Sequence, residues 1–119
     1  MAYDRDLANR IREVLAEEAG LLEKRMFGGL AFMIHGNMAV AASGQGGLLL
    51  RVDPDQSGSL LGEPHVEPFE MRGRSMQGWL RVGPEAVDTD EDLRRWVSLG
   101  TSYAHRLPPK QQTRLPAEG

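Results

Sequence analysis

Apolar positions recur at helical spacing through Leu7, Ile11, Val14 and Leu15, while Arg5, Asn9, Arg12, Glu13 and Glu17 fill the opposite face. That pattern predicts an amphipathic helix over about residues 4–19, with Asp4 or Asp6 as its N-terminal cap and Gly20 as its stop. After a short link the period changes. Three apolar runs, Leu30–Ile34, Met38–Ala42 and Leu48–Val52, are separated by His35-Gly36-Asn37 and Ser43-Gly44-Gln45-Gly46-Gly47, both rich in residues that accept positive φ. They read as an antiparallel meander. Leu48-Leu49-Leu50 does not alternate, which predicts a strand that is central or covered on both sides.

Asp53-Pro54 joins a capping carboxylate to a proline at the first helical position, so a short helix follows up to Gly62, with Gly58 weakening its middle. Val66–Met71 and Trp79–Val82 are two further strand-like runs. Pro68 places the first at an edge or a bulge, and GRSMQG, residues 73–78, reads as a loop between the two. Thr89-Asp90-Glu91-Asp92 is a variant capping box, and Leu93, Trp96, Val97, Gly100, Ala104 and Leu107 form the stripe of a last helix that Pro108-Pro109 ends. The order α-β-β-β-α-β-β-α, with strands grouped, predicts an α+β domain: helices packed on an antiparallel five-stranded sheet. One domain over residues 1–110 and a flexible tail at 111–119 are expected.

Composition agrees with a single soluble domain, at 119 residues with 40% hydrophobic and 26% charged. The chain has no cysteine, which excludes disulfides, thiolate catalysis and cysteine-based zinc sites. Its apolar runs fall far short of the roughly 20 residues that span a bilayer, so no membrane partner is expected. The opening Met-Ala-Tyr-Asp-Arg-Asp lacks the basic-then-apolar order of a signal peptide, and a cytoplasmic location follows as the expectation. A net charge of -3 gives no overall attraction to nucleic acid. Charge is nevertheless uneven. Arg72, Arg74 and Arg81 stand without an intervening acid, as do Arg94, Arg95, Arg106, Lys110 and Arg114, so a local basic face is an open alternative to ordinary surface charge.

Candidate chemistry is sparse. Phosphate-binding glycine loops follow a strand and open a helix, whereas a strand follows Gly28-Gly29. That pair reads instead as a bend into the next strand, where a side chain would meet the first helix or a neighbouring strand. His35, His65 and His105 have no metal-ligand spacing, and Ser43, Ser75 and Ser98 lie in no nucleophile elbow. No catalytic residue, metal or cofactor is assigned. The methionines read mainly as core filler, and Trp79 and Trp96 as core anchors joining the late strand to the last helix.

Lys24-Arg25-Met26-Phe27-Gly28-Gly29 after an amphipathic helix, then Gly36-Asn37-Met38-Ala39-Val40, Gly73-Arg74-Ser75-Met76-Gln77-Gly78-Trp79 and a last helix ending in Leu107-Pro108-Pro109-Lys110 carry a family resemblance. In these words the chain resembles the N-terminal domain of the TfoX/Sxy competence regulators, over about residues 3–110. The resemblance implies a two-layer, secretion-chaperone-like fold. It also implies a part in transcription, since the full-length regulators act with the cyclic-AMP receptor protein and carry a second domain of helix-hairpin-helix character. It brings no catalytic residues.

Three readings result. The first is a non-enzymatic cytoplasmic module that binds a protein partner, either transcription machinery or a second copy as a homodimer, with an exposed apolar patch or open sheet edge as its structural expectation. The second is direct nucleic-acid binding, which needs Arg72, Arg74, Arg81, Arg94, Arg95 and Lys110 on one face. The third is a small-ligand binder or enzyme with a pocket between the sheet and GRSMQG. Arg25 is a further anion or partner contact, or else an ion-pair partner of Glu23 or a carboxylate of the first helix. Met26, Phe27, Gly28, Gly29, Gly73, Gly78 and Trp79 are expected to serve the fold.

Overall fold

The computed structural model describes residues 4–26, 28–71 and 73–108; Phe27, Arg72, Lys110 and the expected tail at 111–119 lie outside them. Within the described residues run three α-helices, α1 (Arg5–Val14), α2 (Pro54–Leu60) and α3 (Asp90–Arg106). Six strands accompany them: β1 (Leu21–Met26), β2 (Gly29–Ile34), β3 (Asn37–Ala42), β4 (Leu48–Arg51), β5 (Val66–Met71) and β6 (Arg74–Val82). A 3₁₀ turn at Pro84–Val87 precedes α3. Each helix starts where a side-chain oxygen takes an orphan amide. Asp4 accepts from the Leu7 N–H at 3.1 Å, Asp53 from Asp55 at 2.9 Å and Thr89 from Asp92 at 3.1 Å.

The strands form one antiparallel sheet in the order β1-β2-β3-β4-β6-β5. β4 is central, as its unbroken leucines imply, and β5 is an edge whose register shifts between Pro68 and Glu70. Leu7 and Ile11 of α1 and Leu93, Trp96 and Val97 of α3 pack with Phe32, Val40, Leu48, Leu50, Leu80 and Val82 in the main core. None of the described helices is long and apolar enough to cross a membrane.

The α+β class stands, with three corrections. The sheet has six strands rather than five, because the link before Leu30 is β1. Its Glu23, Lys24 and Arg25 are exposed, so the strand carries no clean apolar alternation; charged residues suit an edge. α1 ends at Val14 instead of near residue 19, and the chain turns with Leu15 still buried. Glu17 and Glu18 would have lain at the negative end of a longer helix. Lastly, GRSMQG is no loop: after a turn at Gly73, Arg74 to Gly78 belong to β6.

Two close backbone approaches set the packing. A Cβ on Gly29 would lie 2.0 Å from the Ala42 carbonyl oxygen, and one on Gly44 2.2 Å from that of Gly28, so the β1–β2 turn rests directly on the loop after β3. The expected clash at Gly28-Gly29 therefore falls on a neighbouring strand end, not on α1. A Cβ on Gly100 would lie 2.4 Å from the Ala39 carbonyl oxygen, and its absence lets α3 lie against β3.

The sheet face turned away from α1 and α3 is apolar as well. Ala31, Met33, Met38, Ala41 and Leu49 are buried there, with Met26, Phe69 and Trp79 packed around them. Met26 of edge strand β1 and Phe69 of edge strand β5 border the same small cavity of about 40 Å³, so the sheet curls until its edges share a space. Trp96 is a core anchor of α3 at 2% exposure, whereas Trp79 belongs to this second face.

Candidate functional site

β4 ends in the one charged residue of its run, Arg51, whose register partner on β6 is Trp79. Strand alternation sends Leu48 and Leu50 to the helix side and turns Leu49 and Arg51 the other way. At the end of the sheet the long Arg51 side chain reaches both layers. Its guanidinium carbon lies 5.2 Å from the Trp79 ring centroid and 5.6 Å from that of Tyr103 on α3, within cation–π range of both. Arg106, one helical turn beyond Tyr103, lies 5.7 Å from the same ring and donates to Asp53 at 2.8 Å.

Asp53 thus serves twice, capping α2 and pairing with α3. Its carboxyl is held below the ordinary 3.8, first by the Asp55 N–H and then by Arg106. Nearby, Asn37 is 2% exposed and donates from Nδ2 to the Pro108 carbonyl at 2.9 Å, tying the exit of α3 to the start of β3.

Beside this cluster a groove of about 630 Å³ runs between α2 and the β5–β6 pair, walled by Pro54, Leu61, Pro68, Gln77, Trp79 and Leu80. Trp79 belongs to both features. Asp55 is the titratable group on the rim, and Gly58 faces the groove with open space where its Cβ would be. Gln77 and Gly78 come from the stretch read as a loop, so a pocket does border that stretch, although a strand carries it.

Among the described residues, the sheet separates Arg81 from Arg94 and Arg95 of α3. Arg81 projects on the face away from α3 and donates to Gln45. Arg95 on α3 makes a two-pronged contact with Glu63, 2.9 Å at one oxygen, and lies 4.6 Å from the Trp96 ring. That contact lowers the Glu63 pKa and raises that of Arg95. Arg94 is exposed on α3, Arg74 follows the turn at Gly73, and Arg25 is exposed on edge strand β1. Glu23 is held by Arg12 at 2.6 and 2.9 Å rather than by Arg25, and this bond keeps its carboxyl below the usual value. Arg72 and Lys110 lie outside the described residues.

The histidines, unremarkable in spacing, meet in part: the His35 and His105 rings are 6.1 Å apart, and His105 Nε2 lies 2.7 Å from Glu18 Oε1. Among the described residues no group of three or more His, Asp or Glu side chains is placed to hold a metal ion.

Sequence reasoning missed Arg51, Tyr103, Arg106 and Asp53 as a group. One signal was present, since Arg51 is a lone charge at the end of Leu48-Leu49-Leu50 and just before Val52. The family model described as TfoX N-terminal domain matches residues 13–104, a span that includes Arg51, Trp79 and Tyr103. Neither the curated proteins nor the solved structures contain a match to this chain.

Proposed function

The chain belongs to the TfoX N-terminal-domain family, and from that premise we propose that it is a non-enzymatic protein-interaction module of the cytoplasm, serving transcription or competence regulation. The observation that supports this reading is the groove between α2 and β5–β6, with the large ring of Trp79 in its wall. Tryptophan, tyrosine and arginine are the side chains that most often concentrate binding energy at protein interfaces, and Trp79 of the wall stands beside Arg51, which also reaches Tyr103. β5, which contributes Pro68 to the wall, is also an open edge of the sheet. A binding segment has there both an apolar floor and an edge strand alongside it. The partner is a component of the transcription machinery or a second copy of the chain.

Gly58→Trp tests this reading, because Gly58 lines the groove, nothing lies within 4 Å of where its Cβ would stand, and the added ring would occupy groove space. Immobilised wild-type protein is expected to retain a specific partner that Gly58→Trp loses and Arg94→Ala, altered on the exposed side of α3, keeps. Equal retention by Gly58→Trp would overturn the groove as the binding surface.

A further inference from the structure

What the partner presents to the groove depends on the interaction reading. We propose that Arg51 is a carboxylate-binding residue, and that the partner segment carries one aspartate or glutamate next to an apolar side chain that fills the groove.

Among the half-buried arginines, Arg10 pairs with Asp90, Arg12 with Glu23 and Arg81 with Gln45. Arg51 is half-buried too, yet among the described residues no acceptor meets any of its five N–H donors; its contacts are the rings of Trp79 and Tyr103. Rings engage the flat faces of a guanidinium and leave its edge, where the donors lie, to an acceptor. Among the described residues no buried side-chain nitrogen lacks a partner, so the donors of Arg51 stay within reach of solvent and of an incoming anion. Two rings already fix its position, so little order remains to be lost when a carboxylate accepts two parallel bonds.

The surroundings select the kind of anion. Arg106 is already matched by Asp53, and Asp55 stands on the groove rim, so a run of phosphates would meet acids and an apolar wall. A single carboxylate meets one open cation. The adjoining groove, walled by Pro54, Leu61, Pro68, Trp79 and Leu80 with Gln77 and Asp55 beside them, holds no cation for a second anion and has an apolar stretch of wall for an apolar side chain. An acidic peptide with an apolar neighbour satisfies both halves.

The test uses the whole chain and a panel of fluorescein-labelled decapeptides, each with one Asp or Glu followed one to three positions later by Leu, Phe or Trp. Each peptide has an Asn or Gln control, and single-stranded oligonucleotides at about 50 and 200 mM salt form a separate arm. Binding of the acidic peptides is expected to fall about ten- to hundredfold in the amide controls and in Arg51→Gln, the scale of hydrogen bonds to a charged group. Arg51→Lys, which keeps the charge and loses the fork, should recover only part of it. Unchanged thermal melting of Arg51→Gln separates lost contact from lost fold.

Equal binding of acid and amide peptides, or failure of every acidic peptide to bind, overturns the inference. Binding that survives Arg51→Gln but is lost in Gly58→Trp overturns the carboxylate contact and leaves the groove reading standing. Oligonucleotide binding that drops steeply with salt and requires Arg51 overturns it in favour of nucleic acid. If Gly58→Trp keeps both the captured partner and the peptides, the interaction reading itself falls.

Discussion

Gly58 and Gly100 are both helical glycines, and their surroundings give opposite expectations for the same change. Alanine at Gly100 places a methyl 2.4 Å from the Ala39 oxygen and 2.9 Å from Leu50 Cδ1. Forcing α3 away from β3 should cost about 1–3 kcal/mol, more than the roughly 1 kcal/mol that alanine adds to a helix. At Gly58 an added Cβ would meet nothing within 4 Å outside its own helical backbone, so alanine should stabilise by about 0.5–1 kcal/mol. Urea unfolding of the two variants checks both signs, and a stabilised Gly100→Ala would contradict the close helix–sheet contact. Periodicity alone placed Gly100 on the buried stripe of α3. It could not tell a small residue tolerated there from one required by a carbonyl across the gap, because that carbonyl belongs to a strand some sixty residues earlier in the chain. Arg51 posed the same difficulty: its position in an apolar run was visible, but its rings come from β6 and α3.

At the scale of elements, what could be read was whatever a local signal specifies. The caps at Asp53 and Thr89, the turn at His35-Gly36 and the central place of β4 all followed from neighbours in sequence. β1 did not, because an edge strand with exposed Glu23, Lys24 and Arg25 looks like a polar link. Nor did the first half of β6, whose glycines at 73 and 78 imitate loop punctuation while a hairpin uses one as its turn and the strand absorbs the other. The hidden hairpin partner explains the paired glycines after Met26. Gly28 turns the chain at φ +73 with free space around it, and Gly29 presses on the Ala42 carbonyl. Gly28→Ala should therefore cost only the left-handed backbone penalty, about 1–2 kcal/mol. Gly29→Ala, with its Cβ 2.0 Å from backbone that cannot swing away, should cost more than Gly28→Ala in the same urea titration. A reversed order would mean that the β1–β2 turn does not rest on the loop after β3.

Across the whole molecule, charge acts as stitching between elements rather than as a field. Arg10 to Asp90 joins α1 to α3, Arg12 to Glu23 joins α1 to β1, Arg95 to Glu63 joins α3 to the segment before β5, and Arg106 to Asp53 joins α3 to α2. A sequence reveals how many cations a segment carries but not which layer each one faces. The basic stretches thus looked like a possible single surface until the sheet divided Arg81 from Arg94 and Arg95. The stitching has a pH signature. Glu23, Asp53 and Glu63 are all held below their ordinary values of 4.5, 3.8 and 4.5. Because the folded carboxyls give up protons more readily than the unfolded ones, their contribution is fully present above about pH 4.5 and is lost as pH falls through the lowered folded values. The Glu23 and Glu63 pairs are partly exposed and contribute at most about 1 kcal/mol each, with salt reducing both. Melting followed by circular dichroism from pH 6 to pH 3 should show a falling midpoint, at a scale of roughly 4–8 °C per kcal/mol for a small domain. In an Arg12→Gln/Arg95→Gln double variant the midpoint should start lower at pH 6 and fall less on acidification, since two of the three lowered carboxyls then titrate near their ordinary values. An equally steep fall in that variant would mean that acid acts on the protein through groups other than these bridges.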